Sequence, residues 1–323
     1  MSAFDTPPPA FSSAQIDKTL HDHFGIKGDQ QKLESERDQN VAIQTSDAKY
    51  VLKIAHSEED LDFLELQSKA MAHLANAGYP FAPAQIENRD GENIFTVEQD
   101  GKTHAVRLIS FIQGPLLSTS TPCIQTLENL GAAIGQLSAS LQGFSHPAAD
   151  RPNFEWNLDN VGALQSMCDD IISESNRKRV KDLFERYQSV VAPKLKNLRN
   201  AVLYQDANDN NVIVDPTDAT RIKGVFDFGD MCFGRQVNEL AVCLAYALLG
   251  QEDIYTGSQA LVRGYTNHFP LTDDELDVLF DLARMRLVSS VCMSSRQAKK
   301  YPDNEYLTVS QAPAFGLLER LET

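Results

Sequence analysis

The chain reads as an α+β protein of two lobes, and three features point there. Residues 13–113 carry short alternating strands around one helical stretch, a Gly114-Pro115 step breaks the pattern, and helical periodicity dominates from Pro122 onward. The expected division is a flexible Pro-rich arm over 1–12, a β-rich lobe over 13–113 and a helical lobe over 114–323. At 323 residues, 42% of them hydrophobic, there is material for one large domain or two modest ones.

The elements can be justified in order. Ile16, Leu20 and Phe24 recur at helical spacing and Gly25 stops them, so a helix is expected from Ser13 to about Phe24. QKLESE (31–36), QNVAIQT (39–45) and KYVLKIAH (49–56) are strand-like runs separated by turn residues, an antiparallel meander. Its alternation puts Val51 and Lys53 on one face, Leu52 and Ile54 on the other. A helix from about Glu58 to Asn76 carries Leu61, Leu64, Met71 and Leu74 on one stripe, with Asn76 and Gly78 ending it. Residues 93–111 read as a hairpin turning at 99–102. Beyond Pro122, helices are expected at about 122–142, 177–197, 235–249, 253–267 and 272–297, interrupted by the strand-like AVLY (201–204), NVIVD (211–215) and RIKGVFDF (221–228). A two-lobed chain of this kind favours a ligand in the cleft between its lobes.

Composition narrows the function classes. Acidic residues outnumber basic ones 45 to 29, a net charge of −16, which argues against an electrostatic nucleic-acid footprint. The acidity suits a solvated surface and is compatible with a cationic small substrate. The five cysteines lie far apart with no C-x-x-C pair, so neither a disulfide framework nor a zinc site is expected. The N-terminus lacks the charged and apolar regions of a secretory signal, and no apolar run approaches the ~18 residues of a membrane span. A cytoplasmic protein is expected, a monomer or homodimer acting on a small molecule.

The chemistry concentrates in YQDANDNNVIVD (204–215) and GVFDFGDM (224–231). Asp206 sits in a loop, Asn211 opens one strand and Asp227 closes the next. Pairing those strands antiparallel brings Asn211 and Asp227 together. An amide oxygen and a carboxylate are hard ligands of the kind Mg²⁺ accepts, with phosphate oxygens and water completing its shell. Asp206, a turn away, faces the same space as an acceptor for a hydroxyl proton. This is the layout of a phosphoryl-transfer site. Taken alone, D-A-N-D-N-N is also a fair turn sequence. The compound pattern is far rarer than its parts, and it lies downstream of V-L-K-I, where Lys53 closes an apolar strand. A lysine there is ordinarily an exposed edge charge; alongside the other two motifs it is the expected partner of nucleotide α- and β-phosphates.

With SERDQN (35–40), YVLKI (50–54), LQSKAMAHL (66–74), FIQG (111–114), FEWNL (154–158) and GVFDFGDMCFGRQVNELAVCLAYALL (224–249), these motifs resemble the aminoglycoside phosphotransferase and choline kinase superfamily. Within it they look most like the hydroxylysine kinases and type II homoserine kinases. The resemblance runs over nearly the whole chain from about residue 12 and implies a two-lobed protein-kinase-like fold using ATP and Mg²⁺. It implies Asp206 as catalytic base, Asn211 and Asp227 as metal ligands and Lys53 on the nucleotide phosphates. Ser35, Arg37, Gln39 and Asn40 fall in the phosphate-covering loop, Val51 on the adenine, and Ser110 and Ile112 in the linker that reads the base. Three departures stand out. Tyr204-Gln205 replaces the family's His-Gly, and a residue other than glycine there implies ordinary backbone geometry. Gln67 takes the place of the helix glutamate that pairs with the strand lysine, with Glu65 two residues away. Asp230 adds a carboxylate near the metal ligands.

The expected acceptor is a small amine-bearing alcohol or hydroxy amino acid. NFEWNLDN (153–160) brings Glu155, Trp156 and Asp159 within five residues, and an indole face with carboxylates attracts an ammonium. The same stretch also reads as a helix start, with Trp156 in the core and Asp159 as cap. Asn208 and Asp230 are further substrate candidates, and Arg235, Arg284 or Arg286 could receive an acceptor carboxylate. A non-catalytic nucleotide-binding module on the same fold is the alternative function. A protein kinase ranks below both, since no A-P-E segment follows D-F-G.

Overall fold

The structure, a computed structural model, describes residues 8–35, 37–302, 304, 308–309 and 311–322. The chain divides between Gln113 and Gly114 into two compact units.

The first unit begins with α1 (Ser13–Thr19), continued by a π turn over Leu20–Phe24. Ser12 and Gln15 form a reciprocal capping box at its start, and Gly25, at φ 69°, ends it in the left-handed region. The sheet strands are β1 (Asp29–Leu33), β2 (Gln39–Gln44), β3 (Lys49–Ile54), β4 (Gln85–Ile86), β5 (Phe95–Gln99) and β6 (Lys102–Ser110). They are antiparallel in the order β1-β2-β3-β6-β4, with β5 pairing the other end of β6. On β3 the expected alternation holds: Leu52 and Ile54 are buried, while Val51 and Lys53 are only partly covered. The first strand lies at 29–33 rather than 31–36; Glu36 is outside the described residues. Helix α2 (Leu61–Asn76) starts three residues later than expected because Asp60 caps it, accepting from the Asp62 N–H.

The arm over 1–12 is corrected at its inner end; residues 1–7 are outside the described residues. Phe11 is buried in the core with Ile16, Leu20, Ile43 and Leu52. Gln39 clamps its backbone from both sides: Phe11 N–H donates to Gln39 Oε1 at 2.7 Å, and Gln39 Nε2 donates to Phe11 O at 2.9 Å.

The second unit holds α3 (Ile124–Ser140), α4 (Glu174–Arg186), α5 (Ala192–Leu195), α6 (Val237–Ala247), α7 (Ile254–Thr266), α8 (Asp273–Lys300) and α9 (Gln311–Glu322), with a π turn over Tyr187–Val191 joining α4 to α5. Besides short 3₁₀ turns at Leu117–Thr119 and Pro147–Ala149, three longer or paired elements were not expected. A 3₁₀ run covers Leu158–Asp170, β10 (Cys232–Arg235) precedes the expected 235–249 helix and takes its first residue, and α9 follows the expected last helix. β10 pairs antiparallel with β7 (Asn200–Leu203), and β8 (Val212–Val214) with β9 (Ile222–Val225). Two helices cross closely here: a Cβ on Gly131 or Gly264 would lie 2.1 or 2.0 Å from a backbone oxygen of the facing helix. Among the described residues, no helix is long and apolar enough to cross a membrane, and the five cysteines are free thiols.

Candidate active site

The β8–β9 hairpin brings the two polar patches of the sequence together. Val212 pairs with Val225, and Phe226 N–H donates to Asn211 O at 3.0 Å, so Asn211 and Asp227 leave the hairpin at its same end. Before β8, the loop folds on itself around Asp206. Asn208 Nδ2 donates to Asp206 Oδ1 at 2.9 Å; Asn211 Nδ2 donates to Asp206 Oδ2 at 2.6 Å and to Asp206 O at 3.2 Å. Both partners of the Asn211 side chain are acceptors, so its amide nitrogen faces them and Oδ1 is left for a cation.

Asp206 keeps about a fifth of its side chain exposed (19%). The surrounding protein still pushes its carboxyl up to about 8, first by burial and then through the charge of Asp230; Arg286 pulls the other way, and Asp227 adds to the rise. Asp227 is exposed at φ 62°, an uncommon conformation for a non-glycine residue, with Oδ1 accepting from Gly229 N–H at 3.2 Å. An amide oxygen and an exposed carboxylate beside a second acid fit a hard divalent cation whose remaining ligands come from phosphate and water. Among the described residues there is no group of three or more His, Cys, Asp or Glu that could hold a metal ion.

The loop is held from outside by a residue that sequence reasoning passed over. Glu239 on α6 is wholly buried and accepts from the N–H groups of Tyr204 (2.8 Å) and Gln205 (2.9 Å). Burial pushes its carboxyl up to about 7, and the two N–H groups oppose that rise. The ordinary backbone expected at Gln205 is corrected: its φ is 59°, in the left-handed region, without glycine. Its buried side chain anchors that conformation, donating to Trp156 O at 2.8 Å and accepting from Cys232 Sγ at 3.1 Å. Tyr204 is buried against Phe228, and its hydroxyl donates to Phe226 O, tying the loop to the end of β9.

In the first unit, several expected nucleotide contacts are otherwise engaged. Gln39 is taken up by Phe11. Gln67 accepts from Arg107 Nη1 at 3.0 Å, which corrects its expected pairing with Lys53; Glu65 pairs with Lys69 at 2.7 Å. Arg37 bridges to Glu59 at 3.0 Å, and Ser35 Oγ accepts from Asp38 N–H at 3.3 Å. Asn40 lies opposite Lys53 in the β2–β3 register, its Oδ1 buried without a partner among the described residues. At the end of β6, Ser110 N–H donates to Ala84 O, and the Ala84 N–H goes to the Ser110 hydroxyl rather than to its carbonyl. The Ser110 carbonyl is thereby left for another donor.

The acceptor candidates divide sharply. Asp159 is bound to Arg235 Nη1 at 3.1 Å, Arg235 N–H at 3.2 Å and Asn238 Nδ2 at 3.0 Å. Arg235 is further held by Leu195 O and Asn200, and Arg284 by Asp281 and Leu321 O. The helix cap is Asn157, not Asp159, whose own N–H donates to Asn157 Oδ1. The indole of Trp156 already carries a cation: the Arg286 guanidinium lies 4.5 Å from its centroid. Glu155 is exposed. Of the three candidate arginines, Arg286 reaches the loop, with Nη2 3.5 Å from Asp206 Oδ1.

Residues 29–286 match the phosphotransferase enzyme family, APH, and the chain belongs to that family. It is a small-molecule kinase. It is 28% identical to hydroxylysine kinase of Mus musculus over 97% of this chain and 90% of that protein. Homoserine kinase of Zymomonas mobilis is 27% identical over 81% of this chain and 77% of its own length. Among solved structures, an amicoumacin kinase in complex with AMP-PNP and Ca²⁺ superposes with a TM-score of 0.72 at 14% identity, covering 96% of this chain and 94% of that one. A microcompartment-associated aminopropanol kinase gives 0.67 at 15% identity, over 95% and 97%. At those identities the structures speak for the fold: an antiparallel N-terminal sheet followed by a mainly helical region.

Proposed function

We propose that the chain transfers the γ-phosphoryl group of ATP to the hydroxyl of a small amine-bearing alcohol or hydroxy amino acid. The observation that carries this reading is the Asp206–Asn211 pair beside Asp227 at one end of the β8–β9 hairpin. Asp206 accepts the proton of the acceptor hydroxyl, and Asn208 and Asn211 hold its carboxylate for that task. Asn211 Oδ1 and Asp227 hold Mg²⁺, which neutralises charge on the transferring phosphate. Lys53 binds nucleotide phosphates, with Ser35, Arg37 and Asn40 as the loop beside them; Arg37 leaves Glu59 to do so. Val51 packs on the adenine. The Ser110 carbonyl at the end of β6 and the N–H of Ile112 just beyond it are the linker groups proposed to meet the adenine edge. Positioning and charge neutralisation supply most of the acceleration.

The substrate class draws support from the relatives. Hydroxylysine, homoserine and aminopropanol each join an amine to an alcohol. Glu155, which is exposed, and Asp230, whose charge acts on Asp206, are the carboxylates proposed to meet that amine. ADP formation should be measured with hydroxylysine, homoserine, aminopropanol, ethanolamine and choline against glycerol at equal concentration. Faster turnover of the amines supports the proposal; glycerol turned over as fast as every amine overturns the substrate class.

A further inference from the structure

Arg286 stands on α8, eighty residues from the catalytic loop, and is wholly buried at 1% exposure. Its guanidinium is constrained in every direction. Nη1 donates to Trp156 O at 2.8 Å, Nε donates to Tyr246 Oη at 3.1 Å, and Nη2 lies 3.5 Å from Asp206 Oδ1. The rings of Trp156 and Tyr246 lie beside it, their centroids 4.5 and 5.4 Å from its central carbon. The Trp156 carbonyl also accepts from Gln205 Nε2, so one oxygen ties Arg286 to the residue preceding the base.

We infer that Arg286 is a positioning residue for Asp206, setting the orientation of its carboxylate against a frame outside the loop. This rests on the reading of Asp206 as the base. The other two side chains bonded to the carboxylate, Asn208 and Asn211, belong to the same loop and move with it. A carboxylate torsion is broad and roughly two-fold, so intraloop partners leave its direction loosely defined. Among the described residues, Arg286 is the side chain from another element that contacts it. Stability alone does not call for a cation here, since an apolar side chain of similar volume commonly serves a buried site at least as well as a charged one. A planar fork held through Nε and Nη1 by two acceptors, with two rings beside it, instead fixes the direction of Nη2, which a lysine ammonium does not do.

The test is a double-mutant cycle on kcat with ATP and the best acceptor. Arg286→Met should keep the fold by melting temperature and nucleotide affinity by calorimetry, yet lower kcat by ~10²-fold; Arg286→Lys should recover part of that. In an Asp206→Asn background the same substitutions should lower the residual kcat by no more than about twofold, because the group they orient is gone. Equal fold-losses in both backgrounds overturn the inference, as does wild-type kcat in Arg286→Met. Should Arg286→Met fail to fold, the Arg286→Lys cycle decides by the same criterion. An Asp206→Asn enzyme of near wild-type rate is a separate failure, that of the base assignment.

Discussion

Two polar stretches of the second unit use the same residue types for opposite ends. In 204–211 the side chains of Asn208 and Asn211 converge on the Asp206 carboxylate, which stays partly exposed and feels the charges of Asp230 and Asp227 on one side and of Arg286 on the other. In 154–159 the carboxylate of Asp159 has three donors, the indole of Trp156 has its own cation, and the carbonyl of Trp156 has two donors. The first stretch gathers acids around a carboxylate that remains partly exposed; the second turns its polar groups inward and holds the first in place. Like charges gathered at a partly exposed carboxylate suit a site that receives ligands, whereas polar groups bonded to one another suit a support.

The comparison breaks most visibly at Asp206. Asp206→Asn preserves shape and removes the acceptor, so kcat should fall by ~10²-fold or more while calorimetry shows nucleotide binding nearly intact. Turnover within threefold of wild type excludes the assignment. The raised carboxyl gives the same base a pH signature. Its proton must leave before it can act, so kcat/KM in the free enzyme should climb with pH, reach half its maximum near pH 8 and level off above that. A profile flat from about pH 6 to 9 contradicts it.

Asp227→Ala should act through the metal. Nucleotide affinity in Mg²⁺ should drop to its metal-free value, roughly a tenfold loss or more. Identical Mg²⁺-dependent affinity in variant and wild type rules Asp227 out as a ligand.

Glu239→Gln sharpens the distinction between loop and support. The replacement amide has one oxygen for two N–H donors and sets an N–H against the second, costing about 1–3 kcal/mol by denaturant midpoint. It should also lower kcat, because the left-handed Gln205 loses an anchor. An unchanged midpoint contradicts a clamp at this position.

The smallest effect on catalysis is expected at Asp159. Asp159→Asn weakens its bonds to Arg235 and should cost about 1 kcal/mol of stability, with the acceptor KM within about threefold of wild type. A tenfold rise in KM for amines at unchanged stability returns this segment to the acceptor site.

Much of this was legible in local pattern. The alternation on β3, the Gly25 stop of the first helix, and the spacing of Asp206, Asn211 and Asp227 around two short apolar runs all depend on neighbours a few residues away. The 3₁₀ run left a readable trace that was missed: Leu158, Val161, Leu164 and Met167 are buried at every third residue, the period of that helix and not of an α-helix. β10 left little. Four residues, one of them glycine, become a strand because β7 pairs with them, and the helix starts only at Val237.

The sequence by itself determined the order of elements, the phosphotransferase motif and its family, because hydrophobic period and short-range spacing are properties of the chain. Tertiary structure decided which polar side chains remain available. Glu239, Arg286, Gln39 and Asp159 are an acid, a base, an amide and an acid with no local signal separating anchor from ligand. Their roles follow from partners 28 to 80 residues away in the chain. A buried polar group must find a partner wherever the fold supplies one, and that choice is made by packing rather than by spacing.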